Sequence, residues 1–245
     1  MIHQNLGRLS RVLGVILVGC WSVSSHAHIP SFEFVIKSSA QKHVGFSVIR
    51  MVSQLTLPNQ QKIQEQLLFD TQTQTLRLRY LQDSDLVFSP PDRKLSGGGL
   101  GTLTFGNSTA EWTRALRERG ISSSADRPAQ RRLVRINPAA SNPVAWVFGS
   151  TSELWIEKDA FLPLSLRTPG WKVDWLNWAW SREYPFSKSM VLQMSDKIWK
   201  AEVVEIAVNA DAVEQKKFGA APGEQNSNLS SEELDQLRKW VEICR

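Results

Sequence analysis

Residues 153–210 read ELWIEKDAFLPLSLRTPGWKVDWLNWAWSREYPFSKSMVLQMSDKIWKAEVVEIAVNA, and this run decides the fold. Apolar and polar residues alternate along it in segments separated by turn chemistry at Glu157-Lys158-Asp159, Pro169-Gly170 and Ser195-Asp196-Lys197, the pattern of antiparallel strands laid end to end. Pro163 marks an edge or a bulge, since proline cannot donate to a ladder. Six of the chain's ten tryptophans fall here: Trp155, Trp171, Trp175, Trp178, Trp180 and Trp199. The alternation changes phase twice. Trp171, Val173 and Trp175 share one face and Leu176, Trp178 and Trp180 the other; Trp199, Ala201 and Val203 are followed by Val204, Ile206 and Val208. A side-chain period of two admits such a flip only through a bulge, here near Leu176-Asn177, or through burial on both faces. Paired flips on long strands are what a strongly curved sheet requires.

Working outward, residues 46–57, 62–69 and 76–80 form an antiparallel meander. Ile63, Glu65, Leu67 and Phe69 alternate with Lys62, Gln64, Gln66 and Leu68, and Leu76, Leu78 and Tyr80 with Arg77 and Arg79. Before it, 30–43 is a short helix with Phe32, Val35, Ile36 and Ala40 on one side, a cover for a sheet; His43 at its end is expected to interact with the helix dipole. Residues 89–106 carry Pro90-Pro91 and glycines 97–99 and 101. They read as a flexible loop, with a mobile lid or hinge as the alternative; no Lys-Ser/Thr pair follows the glycines, which rules out a phosphate-binding loop. Residues 107–120 are a helix opened by Ser108 and Glu111. Its apolar side is Trp112, Ala115 and Leu116; its other side carries Arg114, Arg117 and Arg119. With Arg127, Arg131, Arg132 and Arg135 these make a basic cluster, either a solvated face or a patch for anionic headgroups or envelope polymers. After a strand at 144–148 and the tryptophan run, 211–229 is a polar linker. Residues 230–245 form a helix capped by Ser230 and Glu233, with Leu234, Leu237, Trp240, Val241 and Cys244 on a docking face.

The chain has 245 residues, 42% of them hydrophobic and 22% charged, and a net charge of +5, a globular composition. Removing Arg8 and Arg11 with the leader leaves about +3, too little to argue for nucleic acid. Residues 1–27 read as an export signal: Arg8 and Arg11, then an apolar run at 12–18 too short for a span. Two cleavage readings stand side by side. Leu17-Val18-Gly19-Cys20 has the form of a lipobox, which would make Cys20 a lipidated first residue; Ser25-His26-Ala27 suits ordinary signal peptidase and frees His28. Cys20 is either removed or lipidated, so Cys244 has no partner and there is no disulfide framework. No histidine and cysteine spacing fits a zinc site, no nucleophile elbow accompanies a histidine, and no cofactor is implied. Glu153, Asp159, Asp174, Glu183 and Asp196 are turn and surface residues unless two of them converge in a cleft for glycoside-type chemistry.

The segment Leu154-Trp155-Ile156-Glu157-Lys158-Asp159-Ala160-Phe161-Leu162-Pro163 resembles the hairpin of the periplasmic lipoprotein-carrier superfamily, the Lol carrier and receptor and related stress-sensor regulators. Tyr184-Pro185-Phe186 with Met190-Val191-Leu192 resembles its middle phrase, and Ile206-Ala207-Val208-Asn209 its closing strand. The resemblance implies a mainly β (α+β) fold over 28–210: a curved antiparallel sheet forming a half-open barrel. The basic segment 107–142 would be a helical insert, since it does not align with the carriers, and the helix at 230–245 is extra. N-terminal, inserted and C-terminal helices would cover the sheet, and the concavity would hold acyl chains. The function expected is therefore non-enzymatic: a periplasmic or outer-membrane-associated protein of a Gram-negative envelope, monomeric, whose partner is a lipid or acylated protein and whose surface also meets the membrane. Rigid aromatic lining suits a concave apolar site, so the expected ligand-binding residues are Trp155, Trp171, Trp175, Trp178, Trp180 and Trp199, with Phe46, Phe69 and Tyr80 from the first meander. The competing readings are a sensor or scaffold docking through Arg114, Arg117, Arg131, Arg132 and Arg135, and a carboxylate-based hydrolase.

Overall fold

The computed structural model describes residues 30–95, 99–121, 132–135, 144–218 and 229–245. The export segment with Cys20, and Arg127 and Arg131 of the basic cluster, lie outside the described residues. Twelve strands form one antiparallel sheet: β1 Val48–Thr56, β2 Lys62–Asp70, β3 Thr75–Gln82, β4 Asp85–Phe88, β5 Arg93–Lys94, β6 Arg132–Arg135, β7 Val144–Phe148, β8 Glu153–Glu157, β9 Pro163–Arg167, β10 Lys172–Ser181, β11 Tyr184–Met194 and β12 Lys197–Val208. Their order is β4-β3-β2-β1-β12-β11-β10-β9-β8-β7-β6, with β5 on β3. Two meanders thus meet where the first strand pairs with the last, and among the described residues the sheet does not close: β4 and β5 lie at one edge and β6 at the other.

The sequence periodicity explains which face turns inward. Ile63, Glu65, Leu67 and Phe69 of β2 are buried and stand opposite Leu55, Ser53, Met51 and Ile49 of β1. Glu65 also faces Tyr80, so a polar row, Tyr80–Glu65–Ser53, ends against Val203 and interrupts an otherwise apolar floor. The phase flip at Val203–Val204 is a bulge: the pairing of β1 with β12 slips between Val52 and Ser53, and the extra residue, Val204, is 65% exposed. The flip near Asn177 arises differently. Asn177 has φ 56°, a left-handed geometry asparagine tolerates, and β10 keeps one register against β11 on both sides of it. The pairing of β11 with β12 ends at Ser189 and Glu202. Beyond that, 184–187 pair with β10, and Val203 and 205–208 with β1, so the sheet splays. Tyr184 at the splayed end packs edge-on against His43 and Phe46, with ring centroids 5.4 and 5.0 Å away.

Helices cover the inner face. In α1 (Phe32–Gln41), Ser31 caps the first turn by accepting from Phe34 N at 3.1 Å, and Phe32, Val35, Ile36 and Ala40 are buried as their spacing predicts. The second helix, α2 (Gly101–Phe105), replaces the flexible loop expected there: all of its residues are buried. Its threonine hydroxyls solve the burial of a polar segment by folding back, Thr102 Oγ1 onto Leu95 O at 2.8 Å and Thr104 Oγ1 onto Leu100 O at 3.3 Å. α3 (Thr109–Arg117) buries Trp112, Ala115 and Leu116. Within the expected linker, α4 (Ala212–Lys217) is helical, and the segment lies over the outer face, where the Arg79 guanidinium stacks 5.3 Å from the Phe218 ring centroid. α5 (Ser231–Cys244) starts with the expected reciprocal cap between Ser230 and Glu233 and buries Leu237, Trp240, Val241 and Cys244. Among the described residues no helix is long and apolar enough to cross a membrane.

Candidate functional site

The inner face is a filled concavity. Met51 of β1, Trp175 of β10, Met190 of β11 and Ala201 of β12 surround a void of only about 20 Å3, closed by Phe105 of α2 and by Arg245. The tryptophans of this face use their indole N–H groups to bind the helices. Trp175 Nε1 donates to Thr104 Oγ1 of α2 at 3.1 Å, and Trp199 Nε1 to Gln236 O of α5 at 3.1 Å. A buried indole with a satisfied N–H supplies apolar area and a directional tie together.

The strongest polar feature lies at the floor. Glu65 Oε1 accepts from Tyr80 Oη and Trp240 Nε1, both at 2.8 Å, and from Arg245 Nε at 3.2 Å, while Oε2 accepts from Arg245 Nη2 at 2.6 Å. The two charged side chains are 1% and 4% exposed. Burial pushes the Glu65 carboxyl up, but the Arg245 charge and the bonds from Arg245, Trp240 and Tyr80 outweigh it and hold it below the usual range. Burial and the Glu65 carboxylate together push the Tyr80 phenol well up, so it stays a donor. This cluster pins α5 to the sheet. Sequence reasoning missed Glu65, Trp240 and Arg245 as a unit. A charge in the buried phase of β2 was the available signal, because such a group requires a partner.

The expected ligand-binding residues divide. Trp175, Trp199, Phe69 and Tyr80 are brought together on the inner face; Phe69 packs on Phe105 of α2 at 5.7 Å. Phe46, Trp171 and Trp178 are half-buried against the same core, and Trp178 Nε1 donates to Pro163 O at 2.8 Å. Trp155 alternates with the buried Leu154 and Ile156 and so points to the other face, where Arg167 lies 4.2 Å over its ring. Trp180 is 54% exposed. In the basic cluster, Arg114 and Arg117 are exposed on α3, and Arg132 and Arg135 are the end residues of β6.

The acidic residues are dispersed. Glu153 accepts from Trp155 Nε1 at 3.0 Å and Asp174 pairs with Lys172 at 2.6 Å. Asp159, Glu183 and Asp196 sit in three different hairpin turns. His43 is buried and its ring nitrogens have no hydrogen-bond partner among the described residues. Desolvation lowers its pKa to about 4, so it is neutral and makes no charge–dipole interaction with α1, contrary to the expectation from its position. Cys244 is fully buried, and burial pushes its thiol well up.

Above the cluster, a cavity of about 770 Å3 opens to solvent. Arg245 lies on both its wall and that of the inner void, so the Glu65–Arg245 pair separates the mouth from the interior.

No protein-family model matches this chain, and no curated protein matches it in sequence. Among solved structures it is similar to a LolA superfamily protein from Nitrosomonas europaea, at 9% identity and a TM-score of 0.38 over 76% of this chain and 97% of that one. It is also similar to a DUF1329 family protein from Desulfovibrio piger, at 8% identity and a TM-score of 0.39 over 75% of this chain and 95% of that one. The first of these carries the superfamily name that the hairpin at residues 154–163 resembles.

Proposed function

We propose that this chain is a non-enzymatic cell-envelope protein that holds a lipid or acyl chain in the concavity of its sheet. One observation carries the reading: the apolar inner face of an unclosed sheet is covered by separate helices, and α5 is pinned to it through a buried polar cluster. An acyl chain and the apolar side of α5 offer the sheet the same kind of surface. Binding therefore exchanges one for the other: Leu237, Trp240 and Val241 leave the floor and a hydrocarbon chain takes their place. The envelope location rests on the reading of residues 1–27 as an export signal.

Solvent extraction of the purified protein followed by lipid mass spectrometry, together with titration of a fluorescent fatty acid, tests this function. Co-purified acyl lipid or saturable micromolar binding supports it. A protein that carries no lipid and does not bind the probe overturns it.

A further inference from the structure

The cavity at the mouth has a chemical character of its own. Phe88, Pro90, Pro91 and Val241 supply apolar lining. The same lining carries five cationic side chains, Arg93, Lys94, Arg119, Arg238 and Arg245. Three carboxylates share the lining, Asp92, Glu118 and Glu242. Two of them have cation partners elsewhere: Asp92 pairs with Arg77 at 3.2 Å and Glu242 with Lys239 at 3.1 Å, and neither partner lines the cavity. Glu118 stands beside Arg119, Arg238 pairs with Asp235 at 3.0 Å, and Arg245 is held by Glu65. Arg93 and Lys94 are different. Arg93 Nη1 donates to Val241 O at 2.6 Å, and Lys94 Nζ donates to Thr73 O and Thr75 Oγ1, both at 2.8 Å. Among the described residues both cations thus hydrogen-bond to neutral oxygens and form no ion pair at the cavity wall.

We infer that this cavity seats the head of an anionic amphiphile: a phosphate or carboxylate against Arg93 and Lys94, with the first part of its chain on Phe88, Pro90, Pro91 and Val241. The inference rests on the lipid-binding reading above and adds the headgroup to it. A volume of about 770 Å3 is in the range of sites that enclose an organic ligand, roughly 300–1,000 Å3. Arginine presents several N–H groups in a plane that matches such oxyanions, and lysine adds a point charge. The position suits an amphiphile, because the Glu65–Arg245 pair beneath the cavity is the boundary its chain would cross to reach the inner face.

The test uses the full mature chain and a matched pair of probes at low salt, a pyrene-labelled fatty acid above its pKa and the methyl ester of the same acid, with inorganic phosphate as a third arm. The acid is expected to bind about tenfold more tightly than the ester, the factor one charge-assisted hydrogen bond supplies. Arg93→Gln and Lys94→Gln should each reduce that preference, and Lys94→Gln should leave the ester's affinity unchanged. Arg93→Gln also frees a carbonyl of α5; Lys94→Gln touches only Thr73 and Thr75 and keeps the test independent of that helix. Equal binding of acid and ester overturns the headgroup site while the lipid-binding function stands. Phosphate binding without any acid-over-ester preference overturns the amphiphile. Failure of both probes to bind overturns the inference together with the function it rests on.

Discussion

Replacing Glu65 with glutamine tests the fold at its most exacting point. The substitution keeps the shape and keeps an oxygen for Tyr80 and Trp240, but it removes the charge. It also sets an amide NH2 or a neutral oxygen against Arg245 Nη2, which now lies 2.6 Å from Oε2. Arg245 is 4% exposed by side chain, so its guanidinium is left in the interior without a counter-charge. Breaking a buried pair from one side costs about 3–5 kcal/mol. Arg245→Met is expected to cost less, because the stranded carboxyl can take up a proton. Replacing both together, Glu65→Leu with Arg245→Met, should come within about 1 kcal/mol of the parent or exceed it, since apolar replacement of a buried pair is often neutral or stabilising. Urea unfolding followed by tryptophan fluorescence measures all three; the glutamine variant should lower the midpoint by on the order of 1 M at unchanged slope. A loss below about 1 kcal/mol for Glu65→Gln, or a double variant as unstable as the single one, would refute the claim that the pair is buried and mutually dependent.

Acid should weaken the fold through His43. Its folded pKa of about 4 lies below the ordinary histidine value of 6.5, so the unfolded chain binds the extra proton; stability is intact above 6.5, falls as pH drops toward 4, and the limiting loss is about 3 kcal/mol. Thermal unfolding at stepped pH shows it, and His43→Phe should flatten the profile across that window. Native Cys244, buried with its thiol pushed up, should resist a thiol reagent in a Cys20→Ser background and become reactive on adding the lipid that displaces α5; unchanged protection in saturating lipid would contradict that exchange. Gly149 has φ 93° and a Cβ there would lie 2.1 Å from Ser152 O, so Gly149→Ala should cost at least about 1–3 kcal/mol in a denaturant titration.

Much of the sheet was legible because its information is local. A period of two marks 62–69 and 76–80, and the phase change at Val203–Val204 identified a bulge the structure contains. The caps at Ser108 and Ser230 were legible for the same reason, since cap and partner lie within three residues. What failed was long-range. The α2 segment looks like a loop because glycines and prolines surround it; its burial depends on Thr104 meeting Trp175. The site was half legible: the inward phase of Trp175 and Trp199 could be read, but not which helix covers each indole. Glu65 and Arg245 are 180 residues apart, and no periodicity links a charge in a strand to the end of a distant helix.

If α5 and the ligand compete for one face, stability and affinity must move in opposite directions. A ligand that needs α5 displaced binds with an affinity reduced by the fraction of molecules in which the helix has left the sheet. Weakening the hold of α5 by about 1.4 kcal/mol raises that fraction, and the affinity, tenfold as long as the open form stays rare. Glu65→Gln, which strands Arg245 at the foot of α5, should therefore bind a fluorescent fatty ester at least about tenfold more tightly than the parent while unfolding at lower urea. A helix that only seals a core predicts the reverse, since loosening it would cost stability and give no affinity. The ester is the informative probe because it lacks the charge that Arg93 and Lys94 would read. Tighter ester binding in a less stable protein is the signature of a displaceable plug; unchanged or weaker binding in the destabilised variant would mean that α5 is permanent core.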